Sequence, residues 1–556
     1  MLRLTELRLP MDHAADALRP AILKRLKLAS GKLLDFTVFR RAFDARKPRA
    51  IVSVYTIDVQ VADEAAVLAR FAGDHNVGPA PDTGYRVVAR APSPPPRRPV
   101  VIGTGPCGIF AALILAQAGF RPLILDRGKV VRERTKDTWG LWRRSTLNPE
   151  SNVQFGEGGA GTFSDGKLYS QIKDPRYLGR KVLTEFVKAG APDEILYAAK
   201  PHIGTFRLVT MVESLRATIE GLGGEYRFGS KVTDIVIDAG ADGVRHVRGV
   251  VLADGTEIAT DHVVLAVGHS ARDTFAMLHQ RGVYLEPKPF SIGVRIEHPQ
   301  GLIDRARLGP NAGNKLLGAA DYKLVHHASN GRGVYSFCMC PGGTVVAAAS
   351  EPGGVVTNGM SQYSRNERNA NAGIVVGITP DADYPDGPLA GVEFQRRWEQ
   401  AAFRAGGGTY AAPAQRLDDF VAGRASSALG DVVPSYRPGV TPADLAACLP
   451  EFAVAAMREA LPAFGAQLRG FDLPDAVLTG VETRTSSPLR IRRDGSFQSI
   501  NTRGLFPAGE GAGYAGGILS AGVDGIRVAE AVALSMTGQP VPAEFSRNTD
   551  AGVIYG

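Results

Sequence analysis

The chain has 556 residues, 44% hydrophobic and 22% charged, a balance that suits two or three globular domains and excludes a disordered or fibrous chain. Its longest apolar run, 109–120, is interrupted by Gln117 and Gly119 and falls well short of the roughly 20 residues that span a bilayer. The net charge of +8 is concentrated at one end, where residues 1–50 hold 12 Lys or Arg against 5 Asp or Glu.

The opening "MLRLTELRLPMDH" alternates charge with leucine and has neither a signal-peptide core nor a cleavage pattern. Four cysteines make no disulfide framework, so a reducing, cytoplasmic location is expected, with no metal site and no membrane partner.

Residues 1–90 read as a basic α/β module. In "IVSVYTIDVQV", 51–61, Tyr55, Ile57, Val59 and Val61 share one face of a predicted strand, and helical patterns flank it. Arg40, Arg41, Arg46 and Lys47 cluster just before the strand. Such a patch attracts nucleic acid or another acidic partner, or is simply a solvated face, and no base-stacking aromatic signature accompanies it. "APSPPPRRP", 91–99, is expected to be an extended linker.

Next comes "PVVIGTGPCGIFAALILAQAGFRPLILDRG". A strand at 100–102 enters a Gly-x-Gly-x-x-Gly turn at Gly103, Gly105 and Gly108, and a helix and a second strand at 122–125 lead to Asp126. Gly103 permits the turn, Gly105 lets backbone approach a pyrophosphate, and Gly108 lets helix pack on strand, while the helix start offers N–H groups to phosphate. Asp126, 18 residues beyond Gly108, suits the hydroxyls of an adenosine ribose. Pro106 and Arg127, beside the turn and the acid, join the expected cofactor contacts.

Near the other end, "GLFPAGEGAGYAGGILSAG", 504–522, places the carboxylate of Glu510 among glycines and runs into a helix. An NAD fold has no need of a distant second glycine loop carrying an acid; FAD does, because its ribityl chain and ring must also be held. Gly509 and Glu510 are assigned to the ribityl side. The helix start at Gly516, Gly517 and Ile518 is assigned to the ring, where negative charge develops on reduction.

These motifs, with "FGEGGAGTFSDGKL" at 155–168, "TDHVVLAVGHSA" at 260–271 and "TRTSSPLRI" at 483–491, resemble a bacterial family of largely uncharacterised FAD-dependent dehydrogenases, which belongs with the glutathione-reductase-type flavoproteins. The resemblance implies a noncovalent FAD and an oxidoreductase, and no particular substrate. The fold class expected is α/β: a Rossmann-like FAD-binding domain at 100–271 and 477–556, an inserted α+β substrate domain at 272–476, and the small amino-terminal α/β module.

Within that picture Gly158, Gly159 and Gly161 are expected close to the ring or pyrophosphate, with Ser164 and Lys167 facing substrate or flavin. Val232 is read as meeting the adenine, with an ordinary strand as the alternative, and Gly268 as the turn back toward the substrate domain. In the insertion, "PFSIGVRIEH" and "GTVVAAAS" read as strands, and Pro442, Pro450 and Pro462 as first-turn helix prolines.

Cys338 and Cys340, one residue apart, are read either as a redox dithiol exchanging electrons with flavin or as small buried side chains beside a glycine turn. Only Cys107 lies near the first helix. Arg365, Asn369 and Asn371 are candidates for a polar or anionic substrate, and His202 and His269 for proton transfer. With no second glycine fingerprint in the chain, the reductant is the substrate itself or an NAD(P)H molecule that visits the same cleft. A flavin monooxygenase using NAD(P)H and oxygen is the alternative enzyme, and a flavin-bearing nucleic-acid or partner-binding redox sensor the alternative from another class.

Overall fold

The computed structural model describes residues 1–240 and 243–546; the last part of the expected flavin segment, 547–556, lies outside the described residues. In the strand Val52–Val61, Ser53, Tyr55, Ile57, Val59 and Val61 are buried and the alternate residues are more exposed, as half-buried strands require. It pairs antiparallel with Leu2–Pro10 and Leu33–Asp44, and Val77–Pro79 completes a four-stranded sheet. Helices Leu18–Leu26 and Glu64–Arg70 bring Ile22, Leu26 and Val67 into the core of this module.

Part of the basic cluster joins this module to the rest of the chain. Arg41 N–H donates to Tyr197 O, Ala199 N–H donates to Arg41 O, and the Arg41 guanidinium lies 5.4 Å from the Tyr197 ring centre. Arg46 pairs with Asp44 at 2.5 Å. Residues 80–99 form no helix or strand, but they are not detached: Tyr85, Val87, Val88 and Ala91 pack on the core around helix Pro106–Gln117, and Ala91 N–H donates to Ala118 O.

Five short strands then form a parallel sheet in the order Leu505–Pro507, Val263–Leu265, Val100–Ile102, Leu123–Leu125, Glu225–Arg227. The middle strands are wholly apolar and buried, as parallel strands covered on both faces must be. Helix Pro106–Gln117 packs against helix Ile518–Met536, and residues 109–115 of the first are at most 4% exposed. Each Leu, Ile or Phe so buried contributes about 1.5–3 kcal/mol. A three-stranded antiparallel sheet, Val232–Ala239, Arg245–Leu252 and Glu257–Ala259, stands beside it.

Between the strands of this parallel sheet the chain builds a second, mixed sheet of eight strands around Phe290–Pro299, which lies between Asn369–Ile378 and Val477–Glu482. Because Val477–Glu482 is a central strand here, the expected return to the first sheet at 477 is corrected: the chain rejoins it only at Leu505–Pro507. The proline expectation also needs correction. Pro450 is the N-cap of helix Glu451–Gln467, but Pro462 sits inside that helix and Pro442 ends a strand. An X-Pro step fits a strand end as well as a helix start, so position alone did not separate them. Among the described residues no helix is long and apolar enough to cross a membrane.

Candidate functional site

The parallel strands end at a common edge, and each loop that leaves it adds backbone to one cavity of about 700 Å³, bounded on its far side by the second sheet. Open α/β sheets bind ligands at this edge. Gly103, Thr104, Gly105 and Pro106 line it, followed by Asp126 and Arg127 from the next strand end. Gly108 does not. A Cβ there would lie 1.9 Å from Gly103 O, so its role is helix packing against the turn. Gly105 is the reverse case: its φ is −72°, and an added Cβ meets nothing nearer than Gly159 Cα at 3.8 Å. Open volume therefore sits directly over the helix start.

Asp126 faces the cavity with both oxygens already engaged: Thr104 N–H and Oγ1 donate to one at 2.9 and 2.5 Å, and Gly128 N–H to the other at 2.8 Å. A ribose must use the remaining lone pairs. Arg127 pairs with Asp273 at 2.5 Å and lies over the Phe155 ring, which fixes one wall.

Gly159, Gly161, Val232, Gly268, Glu510, Gly516, Gly517 and Ile518 also line the cavity. Gly158 and Gly509 do not, which corrects both assignments: an added Cβ would strike Thr162 Oγ1 at 2.1 Å in the first and Cys107 Cβ at 2.8 Å in the second. They shape the loops from behind.

No side chain or backbone N–H of the described residues donates to the Glu510 carboxylate. His269 Nε2 is 3.9 Å away, and Lys288 acts on it electrostatically. Burial, with Cys338 adding to it, pushes Glu510 up to about 7 against the pull of Lys288. An undonated carboxylate in a cleft fits a ligand that brings its own hydroxyls. Gly517, with nothing within 4 Å of an added Cβ, leaves the N-terminus of helix Ile518–Met536 uncovered beside it. The residues present therefore fit FAD from ribose to ring.

The other candidates divide. His269 lines the cavity and is held neutral, driven down to about 3 by burial and by Arg484 and Arg272. His202 does not line it; Nε2 is 2.9 Å from Tyr363 O and the ring stacks on Tyr363. Arg365 also stands behind the wall, paired with Asp165, which itself faces the cavity. Asn369 donates to Glu297 at 2.9 Å inside the second sheet, and Asn371 accepts from Arg295 at 3.2 Å. Cys338 lines the cavity, while Cys340 is buried behind it. Ser164 and Lys167 both face in, as expected; Lys167 donates to Met339 O and sits 3.7 Å from Asp165.

Several site residues carried no usable signal in the sequence. Arg484, within a motif already singled out, lines the cavity and donates to Glu399 and Ser350, and Arg272 donates to the same Glu399. Arg295 is fully buried and bidentate to Glu482 at 2.8 and 2.9 Å. The partners lie more than 80 residues apart in each case, too far for spacing to reveal.

Residues 289–485 match the family described as FAD-dependent protein, C-terminal domain-like, and residues 1–60 a domain of unknown function, DUF8436. An uncharacterized protein of Clostridium beijerinckii is 44% identical over 530 residues, covering 95% of this chain and 98% of that protein. Among solved structures, CtdE in complex with FAD is 12% identical, with 82% of this chain and 89% of that chain covered and a TM-score of 0.31. L-Amino acid deaminase from Proteus myxofaciens in complex with anthranilate is 12% identical, with 84% and 95% covered and a TM-score of 0.33. The chain thus belongs to one family with the clostridial protein, carries the FAD-dependent C-terminal-like domain within it, and takes FAD as its cofactor.

Proposed function

We propose that the protein is an FAD-dependent oxidoreductase of the dehydrogenase type, with a small-molecule substrate held between the flavin and the second sheet. The observation that carries this reading is that one cavity is lined both by Gly105, Asp126, Glu510 and Gly517 from the parallel-sheet side and by Lys167, Tyr335 and Cys338. A ligand anchored at the glycine turn and reaching Glu510 would share this cavity with a second molecule that meets Lys167, Tyr335 and Cys338.

Bound FAD supplies a two-electron relay; the chain supplies orientation, charge and exclusion of water. Gly105 and the start of helix Pro106–Gln117 would hold the pyrophosphate, Asp126 the ribose, Val232 the adenine and Glu510 the ribityl hydroxyls. The start of helix Ile518–Met536 would face the ring, where its N–H groups favour negative charge. Burial acts to lower the Lys167 pKa, but Cys338, Cys340 and Asp165 raise it above the ordinary lysine range, so it presents a fixed cation to the substrate side. His269, held neutral beside Glu510, offers hydrogen bonding there without adding charge.

The electron donor is either this substrate or NAD(P)H visiting the same cleft. The test is the visible spectrum of the purified protein, taken anaerobically before and after NADPH. A flavin band that bleaches identifies the nicotinamide as donor, and one that persists assigns that role to the substrate. A colourless protein that takes up no FAD on reconstitution would overturn the proposal.

A further inference from the structure

The strand Gly333–Ala347 breaks register where it meets the cavity. Phe337 pairs with Gly373 and Cys340 with Asn371, so the residues between them bulge out, and Cys338 takes a φ of +43°, a region that side chains other than glycine rarely occupy. Such strain persists only where surrounding contacts impose it, and it gathers at functional sites. Here the contacts are specific. Buried Arg295 donates to Cys338 O at 2.9 Å, Cys340 Sγ donates to the same oxygen at 3.3 Å, and Lys167 crosses the bulge to donate to Met339 O. The result is that Cys338 lines the cavity while Cys340, its Sγ held to the Cys338 carbonyl, is buried and does not.

We propose that Cys338 and Cys340 form a reversible disulfide that exchanges an electron pair with the flavin, making the bulge a redox station between flavin and substrate. On oxidation the two thiols lose two protons and two electrons and one Sγ–Sγ bond forms; the electron pair and one proton go to oxidised FAD, and the other proton goes to solvent. Reduced FAD reverses the step. The inference rests on the flavin site proposed above.

Two observations set Cys338 apart from the other buried thiols, Cys340 included, all of which are raised. Cys107 and Cys448 lie in apolar cores, where burial pushes both thiols up, Cys448 to about 12. Cys338 moves the opposite way: hydrogen bonding from Cys340 is the largest cause, and Lys167 and Arg295 add to it against burial. Cys338 also lines the same cavity as Glu510 and acts on it electrostatically.

The experiment uses the full-length FAD-loaded protein. Oxidised and anaerobically reduced samples are alkylated without unfolding and digested, and the peptide containing Cys338 and Cys340 is weighed. The expected result is a peptide lighter by two hydrogens and unalkylated in the oxidised sample, and alkylated in the reduced one. In reductive titration the wild type should accept one electron pair more per flavin than Cys338→Ser or Cys340→Ala. Cys448→Ser, a distant buried thiol, should match the wild type. Two unbridged thiols in the oxidised yellow protein, with equal electron uptake by all forms, would overturn the dithiol and leave the flavin reading intact. A chain that binds no FAD would overturn both.

Discussion

His269 Nε2 lies 3.9 Å from Glu510 Oε1, and the two do not form a salt bridge, because burial keeps the imidazole neutral down to about 3 and keeps the carboxyl protonated up to about 7. A carboxylate accepts hydroxyl hydrogen bonds better than the neutral acid, so FAD binding should tighten as pH rises through about 7. Stability of the flavin-free chain should move the other way. The folded carboxyl binds its proton more tightly than the unfolded one, with its ordinary value of 4.5, so this contribution is complete below 4.5 and lost as pH rises through about 7. Glu510→Gln should bind FAD with little pH dependence and more weakly at high pH, by about 1.5–3 kcal/mol. Flavin fluorescence titrations across this range check both forms; a wild type with flat affinity would remove Glu510 from the ribityl position.

Gly105 and Gly108 make the pyrophosphate assignment testable without activity. Gly105→Ala adds a methyl group with no protein atom nearer than 3.8 Å, so thermal unfolding of the flavin-free chain should shift by less than about 0.5 kcal/mol while FAD retention collapses. Gly108→Ala drives its Cβ to 1.9 Å from Gly103 O, and should lower stability by about 1–3 kcal/mol or more before any ligand is added. If Gly105→Ala retains FAD, phosphate does not sit against that backbone.

The contrast shows what was legible in the chain. Strand, glycine turn, helix, second strand and Asp126 lie within 27 consecutive residues, so each physical requirement appeared at a fixed spacing. Glycine spacing does not say which side of the backbone faces the ligand, which is why Gly158 and Gly509 were assigned to the cofactor although both face protein. The cavity wall around Lys167 and Cys338 was harder still. Lys167 meets Met339 across 172 residues, and Arg295 meets Glu482 across 187. Neither contact leaves a local pattern. Arg365 was noticed for its charge, but the charge is spent on Asp165.

The cluster beside His269 predicts acid lability. Burial acts to raise the Glu399 pKa, but Arg272 and Arg484 outweigh it and hold the carboxyl well below its ordinary 4.5. A depressed pKa contributes stability above 4.5 that is lost as pH falls toward the folded value. Glu399→Gln should therefore unfold more easily at neutral pH, by about 3 kcal/mol, because Arg484 loses its carboxylate while Arg272 keeps Glu351, and should lose less further stability on acidification than the wild type. Urea unfolding at a series of pH values measures both effects. Parallel pH profiles would show that the carboxylate is not the titrating group.

Beneath the cysteine bulge, Arg295 and Glu482 are shielded from water and bound by two hydrogen bonds, and Arg295 also donates to Cys338 O and Asn358 Oδ1. Removing one charge leaves the other buried without compensation, so Glu482→Gln should cost about 3–5 kcal/mol in urea unfolding. Replacing both with apolar residues, Arg295→Met with Glu482→Leu, should recover much of that loss, since the desolvation cost disappears with the charges. The double variant also removes the donor to Cys338 O, so it separates stability from positioning. It should fold and bind FAD, yet alkylate at Cys338 at a rate different from the wild type. Equal alkylation rates would show that Cys340 and Lys167 hold the bulge without the arginine.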